Sequence, residues 1–91
     1  MFVVLAYDIS DDRRRTRLFN TLKRFGSPVQ ESVFEFHLSQ SELVHLKRAV
    51  QVVLDERIDQ VRYYFLCPTC QQRTERTYPS RRTDNPFAVI I

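Results

Sequence analysis

The chain of 91 residues has little of what loosens a backbone: one glycine, Gly26, and four prolines, at positions 28, 68, 79 and 86. With a hydrophobic share of 43%, that scarcity argues against a low-complexity or disordered segment and predicts a packed globule with little loop. Internal repeats are lacking too, and so short a chain supports one core, because two smaller ones would each bury too little surface. Residues 1–91 are therefore read as a single domain. Nowhere does an apolar run approach the ~20 residues that cross a bilayer. The apolar N-terminus is interrupted by Asp8 and lacks a basic leader, so a cytoplasmic protein without a membrane partner is expected. Two cysteines, Cys67 and Cys70, are too few for the disulfide framework of a secreted mini-protein and suit a reducing compartment.

What is present is basic charge in two places. The formal net charge is +3, and six of the fourteen basic residues lie between Arg13 and Arg24. Four more, Arg73, Arg76, Arg81 and Arg82, fall in the last quarter. Two such clusters would suit a phosphate backbone, although charge alone is explained as well by a solvated surface.

The hydrophobic pattern divides the chain. Residues 2 to 7 form a continuous apolar run, too short for a helix, which predicts a central strand buried on both faces. From Ser10 or Asp11 to Phe25, Leu18, Leu22 and Phe25 recur at helical spacing, with Asp11 and Asp12 in the first turn and Gly26 as the stop. Residues 29 to 38 alternate as a strand, but the apolar phase slips between Val33 and Phe34. A period of two cannot absorb that slip, so a bulge or tight turn near Ser32 is predicted, giving one bent strand or two short antiparallel ones. Ser39 and Glu42 have the spacing of a capping box, and Leu43, Leu46, Val50, Val53 and Leu54 continue a second helix over 40–55. A last strand is expected over 59–66, and the apolar residues 87 to 91 read as a further β segment that must dock somewhere. This order predicts an α+β, ferredoxin-like βαββαβ sandwich with both helices on one face, plus a C-terminal β segment. The other face would be covered by a second copy of the chain, with residues 71–91 serving dimerisation or partner docking.

Several residues are candidates for chemistry. A carboxylate ending a buried strand is costly unless it is hydrogen-bonded, paired or bound to a cation. Asp8 would thus cap the next helix, pair with Arg13 or Arg15, or hold Mg²⁺, whose hard acceptor preference suits carboxylate oxygens. One carboxylate makes a poor site, whereas a twofold axis near the strand end would bring two together. Arg15 and Arg17, two apart on a helix, point in different directions and would reach different phosphates. Cys67-Pro-Thr-Cys70 has zinc-knuckle spacing without a second ligand pair, which leaves a turn with buried or partly buried thiols, or a zinc site shared between subunits in an RNA-binding module without catalysis. Phe34, Phe36, Tyr63 and Tyr64 would be core, or would stack on bases.

Together, "YDIS" at 7–10, "RRRTRLFNTLKRFG" at 13–26, "VQESVFEF" at 29–36 and "LCPTC" at 66–70 resemble the CRISPR-associated protein 2 family, over about residues 1 to 70. The resemblance implies a ferredoxin-like homodimer that serves as adaptor for the CRISPR-associated integrase subunit during spacer acquisition. It also implies Mg²⁺-dependent endonuclease activity on single-stranded RNA or duplex DNA. On this basis Asp8 is the catalytic and metal-binding residue, and Arg13, Arg14, Arg15 and Arg17 bind nucleic acid. Tyr7, Ser32 and Phe34 lie near the site. Where many relatives have a basic residue before the "VQ" pair this chain has Pro28, which removes one phosphate contact.

Overall fold

The computed structural model describes residues 1–75. The expectations for Arg76, Arg81, Arg82 and the apolar end at 87–91 lie outside the described residues.

The order of elements is β1 (Phe2–Asp8), α1 (Asp12–Leu22), β2 (Ser27–Gln30), β3 (Val33–His37), α2 (Gln40–Val53), β4 (Gln60–Leu66) and a short α3 (Pro68–Gln72). The four strands form one antiparallel sheet in the order β2-β3-β1-β4. This is the split βαβ arrangement of a ferredoxin-like α+β fold.

Each helix begins where its sequence supplies an acceptor. Asp11 caps α1 by accepting the Arg14 N–H at 2.9 Å. At α2 the full capping box forms: Ser39 Oγ accepts the Glu42 N–H at 3.2 Å, and the Ser39 N–H donates to Glu42 Oε1 at 2.7 Å. The phase slip at Ser32 resolves into two short antiparallel strands joined at Glu31 and Ser32. β2 carries an irregularity between Pro28 and Gln30.

Leu18 and Leu22 of α1 and Leu43, Leu46, Val50 and Val53 of α2 meet Val3, Leu5, Tyr7, Phe34 and Phe36 of the sheet in one core. The expectation that β1 is buried on both faces holds only in part. Val3, Leu5 and Tyr7 are buried under the helices; on the opposite face Phe2 is buried beside His37, whereas Val4 and Ala6 are half-buried and Asp8 is exposed. α1 is also shorter than its periodicity suggested, closing at Leu22 with Lys23–Phe25 in a turn. The thiols, expected to be at least partly buried, are both exposed. No helix among the described residues is long and apolar enough to cross a membrane.

Candidate functional site

The end of β1 sends successive side chains to opposite faces of the sheet. Tyr7 turns inward, and its hydroxyl donates to the Glu31 carbonyl at 3.1 Å. Its own amide donates to the Ser32 carbonyl at 3.1 Å, so the β2–β3 turn is pinned to this strand end. Burial pushes the Tyr7 hydroxyl pKa up, with Arg15 opposing and Glu31 adding to the shift. Asp8, next along, is exposed on the face away from the helices, and among the described residues its carboxylate has no hydrogen bond or ion pair.

The two structural roles open to Asp8 fall to other residues. Asp11 caps α1, and Asp12 pairs with Arg15. The four arginines are likewise separated by the structure. Arg14 is occupied in a fork on Asp59, with Nε to Oδ2 at 2.8 Å and Nη2 to Oδ1 at 3.2 Å. Arg15 donates from Nη1 to the Ile9 carbonyl at 2.9 Å, bracing the segment that follows Asp8. Arg13 and Arg17, four apart and therefore on one side of α1, are exposed, with no ion pair among the described residues.

An open groove of about 650 Å³ runs beside this strand end, bordered by Tyr7, Arg15, Phe19, Pro28 and Glu31. Phe34 lies beneath it, fully buried, with its ring 5.3 Å from Phe19 and 6.4 Å from Tyr7. Phe34 and Phe36 are core residues and present no face for a base to stack on. Tyr63 is half-buried, while Tyr64 on the adjacent position is exposed.

Asp59 is the residue that sequence reasoning missed. Its side chain is fully buried and it also accepts the Asp55 N–H at 2.9 Å. Its one signal in the sequence is an acid immediately before an apolar strand, which does not reveal a partner on α1.

Among the described residues, no three His, Cys, Asp or Glu side chains gather into a metal cluster.

The family model described as CRISPR associated protein Cas2 matches residues 1–74. The chain belongs to the Cas2 family. It is 42% identical over 76 residues to a CRISPR-associated endoribonuclease Cas2 of Thermus thermophilus, covering 84% of this chain and 81% of that one. Against CRISPR-associated endoribonuclease Cas2 3 of Synechocystis, identity is 41% over 88 residues, covering 97% and 96%. The crystal structure of Streptococcus pyogenes Cas2 at pH 6.5 superposes with a TM-score of 0.75 at 30% identity, covering 84% of this chain and 98% of the other. The Cas2 match therefore takes in every element described above, including the strand end that carries Asp8.

Proposed function

We propose that this chain works in CRISPR adaptation as a nucleic-acid-binding homodimer, an adaptor for the integrase subunit, with Mg²⁺-dependent cleavage of RNA or DNA phosphodiesters as its enzymatic activity. Family membership supports the general role, and the Thermus thermophilus and Synechocystis relatives carry the name endoribonuclease. The observation that carries the site assignment is the Asp8 carboxylate, exposed on the sheet face away from the helices and without a hydrogen bond or ion pair among the described residues.

A second copy laid against that face would cover Val4 and Ala6 and bring two Asp8 carboxylates towards a shared axis. Their mutual repulsion favours a bound cation. The fit to Mg²⁺ is that of a shared site: Mg²⁺ takes one or two carboxylates and keeps several waters, and among the described residues of one chain no second acidic cluster joins Asp8. When bound, the ion would act as a Lewis acid and lower the pKa of a coordinated water. The chain's own residues hold the site in place. Arg15 anchors the segment after Asp8 through the Ile9 carbonyl, and Tyr7 fixes the β2–β3 turn beside it. Arg13 and Arg17, exposed and without an ion pair among the described residues, present two guanidinium groups to phosphates.

The test is Asp8→Ala in the full chain, with cleavage and binding measured on the same RNA and duplex DNA. Mg²⁺-dependent cleavage is expected to vanish while the gel-shift affinity persists. Cleavage that survives the substitution would remove Asp8 from the chemistry. A chain that sediments as a monomer at all concentrations would remove the shared site and the dimeric scaffold together.

A further inference from the structure

Cys67 and Cys70 take no part in the site around Asp8 described above. β4 ends at Leu66, and the chain then turns directly into α3 with Cys67 as its cap residue and Pro68 at its first position. The Cys70 N–H donates to Cys67 Sγ at 3.4 Å, which draws the first sulfur over the backbone of the second cysteine. Both side chains are exposed. Residues three apart across the start of a helix have Cα atoms about 5 Å apart by helical geometry, inside the window of roughly 4.4–6.8 Å that a disulfide spans. The spacing is thus compatible with a bond between the two sulfurs.

The ligand inventory argues against a closed metal site. The whole chain contains two cysteines and two histidines, and among the described residues no third His, Cys, Asp or Glu joins the pair. A tetrahedral structural zinc would need two further ligands.

The geometry points to Cys67 and Cys70 as a redox-active dithiol that closes to an intrachain disulfide by exchange with a low-molecular-weight disulfide, Cys67 attacking and Cys70 resolving. The Cys67 thiolate attacks one sulfur of the small disulfide, forming a mixed disulfide and releasing one thiolate. Cys70 loses its proton to that released thiolate and attacks Cys67 Sγ. The Cys67–Cys70 bond forms, and the second small thiolate departs, taking up a proton from solvent. In balance, the protein dithiol is oxidised by two electrons and one small disulfide is reduced to two thiols.

The division of labour follows from the contacts. The Cys70 amide, joined by the Cys70 thiol, stabilises charge on Cys67 and lowers its pKa below the ordinary cysteine value. Cys70, donating to Cys67 and lying beside its charge, is pushed up. The thiolate is the nucleophile, so the residue with the lowered pKa reacts first.

The experiment equilibrates the purified full chain in glutathione buffers from fully reduced to fully oxidised, with acid quenching, thiol alkylation and intact mass. The expected result is the loss of both alkylatable thiols in one step and a mass decrease of about 2 Da, the two hydrogens removed on closure. The Cys70→Ser chain should accumulate one glutathione on Cys67, and the Cys67→Ser chain should gain it several-fold more slowly. Thiols that remain free at the oxidised end, a disulfide found only between chains, or zinc that copurifies and blocks alkylation would each overturn the proposal. Faster reaction of the Cys67→Ser chain would overturn the order of attack.

Discussion

Arg14 and Asp59, 45 residues apart in sequence, meet through two hydrogen bonds, and the side chain of Asp59 is wholly buried by the contact. The pair joins α1 to the segment that leads into β4, so an arginine from the basic run of α1 serves the fold. Asp59 also accepts the Asp55 amide, which leaves its carboxylate fully engaged. Arg14→Ala would strand a buried acid, and breaking one side of such a pair is strongly destabilising. Arg13→Ala and Arg17→Ala, both at exposed positions, should change stability by no more than about 0.5 kcal/mol. Urea denaturation of the three variants should single out Arg14→Ala as several-fold more damaging. Equal effects would show that the fork contributes little.

The same pair sets a response to acid. The hydrogen bond from Arg14 holds the Asp59 carboxyl below its ordinary value, against the opposing effect of burial. Its folded-state pKa is therefore lower than its unfolded one, and between the two the unfolded chain binds more protons. The contribution to stability is complete above the unfolded value of about 4 and is lost as pH falls through the folded value. Asp59→Asn should lower stability at neutral pH and flatten the acid limb of the stability profile. The check is denaturant midpoint measured against pH for both chains; parallel curves would count against the assignment.

Nucleic-acid affinity should fall steeply with salt, because the exposed guanidinium groups on one side of α1 would displace counterions from phosphates without reading bases. On duplex DNA, each phosphate contact removed reduces the slope of log affinity against log salt by about 0.9. Arg13→Ala and Arg17→Ala should each show this reduction in a homodimer by up to twice that amount, with no change in sequence preference. Fluorescence anisotropy across a salt series reads both quantities. A flat salt dependence in the parent chain would refute backbone binding by this face.

How much of this was legible in the sequence depends on whether the cause was local. The period of Leu18 and Leu22, the run Leu43, Leu46, Val50 and Val53, and the Ser39–Glu42 box are all set within a few residues, and each lies in the helix the pattern predicted, although α1 closes at Leu22, short of Phe25. The phase slip after Val33 likewise has only local solutions, of which the hairpin is one. Asp59 was illegible because its partner is 45 residues away, and no periodicity links an acid before β4 to the second residue of α1's arginine run. The unequal fates of Arg13, Arg14, Arg15 and Arg17 follow from helix rotation against a sheet whose edge order is a tertiary property. β1 misled in part: its apolar run gave no sign that Val4 and Ala6 stay half-buried on the face where Phe2 is buried. Asp8 was legible as an anomaly, but its lack of partners among the described residues emerges only once Asp11 and Asp12 are seen to take the competing roles.

Gly26 reads in sequence as a helix stop, a place for the left-handed conformation, yet its φ is not positive. The glycine is required for a different reason: α1 returns to the sheet here, and the chain passes directly against β3. A Cβ on Gly26 would run into the Glu35 carbonyl oxygen and the edge of the Phe36 ring. Neither can yield cheaply. Glu35 is backbone within the sheet opposite Ser27, and Phe36 is buried with its ring stacked 6.0 Å from Phe34. Gly26→Ala would gain about 0.4–1 kcal/mol from a stiffer unfolded chain, but inserting an atom into packed surroundings costs typically about 1–3 kcal/mol. The steric cost wins, so the variant should be less stable than the parent, while Ser27→Ala, at an exposed neighbour, should lie within about 0.5 kcal/mol of it. Guanidinium denaturation of the three chains decides the matter: a Gly26→Ala protein as stable as the parent would mean that α1 and β3 can part at this point without loss, and that the close approach does not constrain how the helix seats on the sheet.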